Sequence, residues 1–158
     1  MRWSLRMQDS GEVLFFNNGN SLESAATLEI GAWNHVAAVF DGTGAESVAK
    51  VYVNGEPSGE LVGFTLNPGA DTTVRIGHSD AAINQTWLGA LDDIRVYNYA
   101  VDVLQIAGQY YSVTGDTPCI YPIDASYDVN QDCVVDLLDL ASFGAGWLTT
   151  GLYPDCCP

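Results

Sequence analysis

Basic residues are scarce in this chain: Lys and Arg together number 5 against 20 Asp and Glu, and none follows Arg95. A net charge of -15 and a pI near 4.1 leave no Lys/Arg cluster for phosphate, which excludes nucleic acid as a partner. No apolar run reaches the length of a membrane-spanning helix, so membrane insertion is not expected. Met1-Arg2-Trp3 is followed by alternating polar residues rather than a signal-peptide core. The chain is therefore expected to be either cytosolic or directed by a targeting segment outside it.

Cysteine is absent until residue 119; Cys119, Cys133, Cys156 and Cys157 then share a segment too short for a large core. That usage points to an oxidised, extracytoplasmic module. Bonding the neighbours Cys156 and Cys157 to each other would strain the backbone, so bridges joining Cys119 and Cys133 to the tail are expected, with the pairing left open. A zinc site is the competing use of four thiols, but Cys-x-x-Cys pairs and a nearby His are missing.

What the chain does contain is a globular composition, 47% hydrophobic and 16% charged, enough for one medium domain and a small appendage. From Arg2 to about Asn98, apolar and polar residues alternate between turn residues, as in short antiparallel strands. Trp3, Leu5 and Met7 share a face. Strands are expected at Val13 to Phe16, Ala26 to Ile30, His35 to Phe40, Val48 to Val53, Leu61 to Leu66, Thr73 to Gly77 and Leu88 to Tyr97. Asn54-Gly55 suits a tight hairpin, because both residues tolerate positive φ. Asp102 with Gln105 forms a capping box for a helix whose Val103, Ile106, Ala107 and Tyr110 share one face. A linker at 112–118 follows, rich in small and polar residues. The fold class expected from the pattern alone is all-β, an antiparallel sandwich or barrel, with a small helical module at its C-terminal end.

The tail carries the sharpest signal. Asp128, Asn130, Asp132, Asp136 and Asp139 put side-chain oxygens at positions 1, 3, 5, 9 and 12 of a twelve-residue stretch, the ligand spacing of an EF-hand calcium loop. A solvated acidic turn capping the next helix needs one Asp rather than five aligned oxygens. Ca2+ is the cofactor expected, and Leu137, Leu140, Ala141 and Phe143 would lie on the helix leaving the loop, Asp136 to Trp147.

Two resemblances follow from these residues. Trp33-Asn34-His35-Val36-Ala37-Ala38-Val39-Phe40-Asp41-Gly42, Val51-Tyr52-Val53-Asn54-Gly55, Arg75-Ile76-Gly77 and Gly89-Ala90-Leu91-Asp92-Asp93-Ile94-Arg95-Val96-Tyr97-Asn98 occur in an order that resembles the laminin G-like, concanavalin A-like jelly rolls. The resemblance covers residues 1–111. It implies two packed antiparallel sheets, a face that binds glycans and use as a noncatalytic module of secreted or surface proteins. The family's N-terminal strands have no counterpart before Trp3. A truncated gene, or dimerisation by strand completion, is expected from that. Residues 119–158 resemble a dockerin-type calcium repeat. On that resemblance Asp128, Asn130 and Asp132 ligate through side chains, Val134 through its carbonyl, Asp136 directly or through water, and Asp139 as the closing bidentate ligand. Cys133 stands where such loops place Gly, a strained exchange unless a disulfide holds it. One repeat is visible, whereas cohesin-binding dockerins use two.

Other candidates are weaker. Trp87 beside Asn84-Gln85-Thr86 could stack on a sugar, whereas Trp33 is expected in the core. Asp92 shares a strand face with Ile94 and Val96 and is expected to be buried and paired, or metal-bound. His35 and His78 have no Ser or Cys nucleophile in a recognisable motif beside them. The paired carboxylates of jelly-roll glycoside hydrolases, spaced as Glu-x-Asp-x-x-Glu, do not occur. The function expected is a noncatalytic extracellular module that recognises glycan and carries a calcium-binding tail. The alternatives are protein adhesion or cell-surface anchoring, or service as an accessory to a larger secreted glycoside hydrolase.

Overall fold

The computed structural model describes residues 3–17, 19–66, 74–78, 86–121 and 123–146. The chain divides into two compact units, Met1–Pro118 and Cys119–Pro158.

In the first unit, β1 (Trp3–Met7), β2 (Glu12–Asn17) and β3 (Asn20–Thr27) form one antiparallel sheet, in that order. A second sheet is built the same way from β4 (Val36–Asp41), β5 (Val48–Val53) and β6 (Glu56–Val62). Strand alternation decides what lies between them. Val13, Phe15 and Leu22 from the first sheet meet Ala49, Val51 and Val53 from the second around Phe64. Phe64 is fully buried and stacks on Phe15 with ring centroids 5.0 Å apart. The opposite face of the second sheet is also covered. Tyr52 and Val39 pack there with Val101 and with Ile106 of α1 (Val103–Thr114). The fold is thus the expected antiparallel β-sandwich, and its helix packs on one outer face.

Local chemistry explains several joints. Asn54 (φ 51) and Gly55 (φ 81) make the β5–β6 hairpin turn, as expected from the sequence. Gly55 is required twice over, because a Cβ there would stand 2.8 Å from Pro118 Cγ. Between β2 and β3 the register shifts, and the serines repair the ladder: Val13 N donates to buried Ser24 Oγ at 2.8 Å, and Ala26 N donates to Ser58 Oγ at 2.9 Å. Asp102 caps α1 by accepting from Gln105 N at 2.8 Å. Gln105 does not complete the box; its side chain donates to the Tyr99 hydroxyl instead.

Several expectations are corrected. β3 begins at Asn20 rather than Ala26, because Asn17 pairs with Asn20 and the hairpin commits the next residues to the ladder. β6 covers Glu56–Val62 rather than Leu61 to Leu66, for the same reason after Asn54-Gly55. Pro57 is tolerated because β6 is an edge strand among the described residues. Leu88 to Tyr97 is not a strand: no described strand pairs with it, and Leu88, Leu91, Ile94 and Val96 are exposed. Residues 74–78 contribute one isolated bridge, His78 to Thr86, while Thr73 lies outside the described residues. Trp33, expected in the core, is 71% exposed, and Asp92 is exposed rather than buried. Residues 112–114, given to the linker above, form the last turn of α1, which closes at Gly115 (φ 79).

In the second unit, α2 (Leu137–Gly146) follows the acidic loop. Its one buried residue is Asp139, whereas Leu137, Leu140 and Phe143 are exposed. Trp147 lies outside the described residues. No helix among the described residues is long and apolar enough to cross a membrane.

Candidate functional site

The loop from Asp128 to Asp139 is organised by its carboxylates. Asp128 is 3% exposed and Asp139 4% exposed, although both are charged side chains in a small unit. Asp128 Oδ1 accepts from Asp132 N at 3.1 Å and its Oδ2 from Cys133 N at 2.9 Å. Asp139 Oδ1 accepts from Val129 N at 2.8 Å and Asn130 N at 3.3 Å, and its Oδ2 from Asp136 N at 2.8 Å. The last residue of the loop is therefore bonded to the amides that directly follow the first. The amide of Asp136, then those of Asn130 and Val129, hold the Asp139 carboxyl below the usual carboxylate range, against the opposing effect of burial.

The remaining positions are placed as follows. Asp132 accepts from Val134 N at 2.9 Å and from the Asn130 side-chain amide at 2.8 Å; Asp136 accepts from Leu138 N at 2.6 Å. Among the described residues no three His, Cys, Asp or Glu side chains come together at metal-holding geometry. The amide of Asn130 and the carbonyl of Val134 are donors outside that set. An ionised carboxylate has about four lone-pair sites, so Asp128, with one amide on each oxygen, and Asp139, with a single amide on Oδ2, each keep room for a cation. Amide bonds also orient ligating carboxylates in metal sites. The donor set of oxygens alone fits a hard divalent ion such as Ca2+.

The sixth position is decisive for the backbone. Cys133 has φ 65, and Gln131 before it has φ 58. A disulfide joins Cys133 to Cys119, with Cα atoms 5.9 Å apart. This corrects the expectation that each of these cysteines bonds to the tail: the chain between Cys119 and Cys133 turns back far enough to bring their Cα atoms within bonding range. Cys156 and Cys157 lie outside the described residues.

The first unit holds the other candidates. Trp87 is half-buried, its indole N–H donates to Ala90 O at 3.3 Å, and its ring lies against Gly89. Trp33, overlooked as a ligand platform because its strand motif suggested core, presents the more open ring. Asn84 and Gln85 lie outside the described residues. His35 directly precedes β4: its backbone N–H donates to Asn54 Oδ1 at 2.9 Å and its ring tilts against Tyr110 of α1. Its Nδ1 is buried and has no hydrogen-bond partner among the described residues. Burial, then the nearby Arg95 cation, lowers its pKa against the attraction of Asp93.

Two sheets packed face to face, one backed by a helix, define an antiparallel β-sandwich. The chain belongs to the concanavalin A-like lectin/glucanases superfamily, whose family model matches residues 2–107. A comparison with curated proteins finds no match. Among solved structures, the chain is similar to residues 221–444 of an S-layer domain-containing protein from Clostridium thermocellum ATCC 27405, at 24% identity and a TM-score of 0.45. That match covers 63% of this chain and 50% of the other.

Proposed function

We propose that the chain is a noncatalytic extracellular binding module, in which a lectin-type sandwich recognises carbohydrate and a dockerin-like loop binds calcium. The observation that carries the calcium reading is the closure of the loop. Its first and last carboxylates are buried and fixed by backbone amides, in a stretch of chain that has no basic side chain after Arg95. Buried carboxylates without a countercharge favour a cation as partner. Asp128, Asn130, Asp132, Asp136 and Asp139 would hold it with the carbonyl of Val134, and the ion would supply structural order to the tail. Family membership supports the sandwich as a binding domain, and the disulfide supports an oxidising, extracytoplasmic setting.

Calorimetric titration of the oxidised chain with calcium tests the first part. Heat with one-site stoichiometry is expected; no uptake at millimolar calcium would reject it. A glycan array tests the second, with Trp87→Ala and Trp33→Ala as controls for stacking. A second reading, adhesion to a protein partner, is favoured by exposed apolar side chains such as Leu88 at 94% and Leu137 at 79%. Silence on every glycan, with capture of a surface protein, would select it. Under either reading the module could serve as an accessory of a larger secreted glycoside hydrolase.

A further inference from the structure

Three features of the acidic loop meet at Cys133. It occupies the sixth position of Asp128–Asp139, and its backbone is left-handed at φ 65. Its amide donates to the buried carboxylate of Asp128 at 2.9 Å, and its sulfur is bonded to Cys119. A residue with a Cβ resists the left-handed conformation by roughly tenfold or more in population relative to the right-handed one. Glycine would adopt it freely, yet glycine is not what stands here. Among the described residues, no hydrophobic side chain of the second unit is buried, so none of them forms an apolar core against this turn.

We propose that the Cys119–Cys133 disulfide is a redox-sensitive lock on the loop. Oxidised, it holds Cys133 in the left-handed turn with its amide on Asp128; reduced, it releases that turn and weakens the loop's hold on a divalent cation. The effect on affinity rests on the calcium reading above, whereas the effect on the turn does not. Both cysteines are partly exposed, so a dithiol reductant can reach the bridge. One of its thiolates attacks one sulfur and forms a mixed disulfide, and the other protein sulfur leaves as a thiolate. The second reductant thiol then displaces the remaining protein sulfur. Two electrons and two protons pass to the cysteines, and the reductant departs as its own disulfide. The loop would thus hold its ligand more tightly in an oxidising compartment than in a reducing one.

The test uses the full chain in four forms: oxidised, reduced with dithiothreitol, Cys119→Ser/Cys133→Ser and Cys119→Ser/Cys133→Gly. Amide exchange at residues 132 and 133 is followed by NMR without metal, and calcium affinity by calorimetry. Reduction and the double-serine variant are expected to speed exchange at both amides about tenfold and to weaken calcium binding about tenfold. The glycine variant should recover affinity to within about threefold of the oxidised chain and ignore the reductant, because it removes the Cβ that the bridge compensates. Equal exchange in oxidised and reduced chains, or a glycine variant no better than the serine one, overturns the lock. If no form takes up calcium, the calcium reading falls and the exchange comparison alone decides the lock.

Discussion

Replacing Asp128 by Asn tests whether charge, rather than apolar contact, folds the second unit. The substitution keeps size and shape but turns one of the two acceptor oxygens into an N–H donor. In the native loop those oxygens take the amides of Asp132 and Cys133 at 3.1 and 2.9 Å. An amide bond to a charged acceptor is worth about 1.5–3 kcal/mol, so losing one and weakening the other to a neutral bond costs about 3 kcal/mol. Small units seldom hold more than about 3–5 kcal/mol in total. The loss therefore removes most of the stability available, before any effect on a metal. By hydrogen exchange, protection at residues 132 and 133 should fall about a hundredfold, since each 1.4 kcal/mol is about a factor of ten. Protection within about twofold of the parent chain would refute the claim that this carboxylate organises the loop.

Three further outcomes concern the sandwich. Phe64→Ala empties the space shared with Phe15 and Phe40 and should cost about 4 kcal/mol, read from urea unfolding; less than about 1 kcal/mol would contradict its place at the centre of the core. Asp102→Ala removes the cap on Gln105 N and should cost about 1 kcal/mol, with loss of helical signal confined to the first turn of α1. His35 has a lowered pKa in the fold, so the stability it contributes is present above its ordinary value and is lost as pH falls. Between pH 7.5 and 5.5 the thermal midpoint should drop in the parent chain and stay flat in His35→Gln; parallel curves would contradict this.

The sandwich was legible wherever two signals agreed. β5 combined alternation with the Asn54-Gly55 turn, and its inner face of Ala49, Val51 and Val53 is buried as the period of two requires. β3 was harder to see because Ser24 looks like a loop residue. Its hydroxyl is buried to satisfy an amide that the bulge strips of its ladder partner, a need that arises only in three dimensions. Leu88 to Tyr97 failed in the opposite direction. Its alternation is real, but a strand needs a neighbour, and pairing is not encoded in the segment itself. Trp33 misled for a related reason, since a motif fixes where a ring sits along the chain but not what covers it. In the loop, the spacing of oxygens was readable and the bridge partner was not. Four cysteines allow several pairings, and only the course of the chain brings Cys119 to Cys133.

Acid should separate the two units, because they are held by different forces. Asp139 is kept below the usual carboxylate range chiefly by the amide of Asp136, with those of Asn130 and Val129 adding to it. A carboxyl lowered in the fold contributes stability that is fully present above its ordinary value of about 3.9 and is lost as pH falls through the lowered one. Protonating it turns one acceptor oxygen into a donor facing an amide, and no buried apolar side chain among the described residues of that unit can compensate. The sandwich also has lowered carboxylates, Glu12 on Ser10 and Asp41 on Thr43, but these are the end residues of β2 and β4, bonded to the adjoining turns, and are not part of the core around Phe64. As pH is lowered from 5 toward 2, the amides of residues 129, 130 and 136 should lose protection first, while those of β5 stay protected. Simultaneous loss in both units would mean that the loop is held by contacts other than its carboxylates.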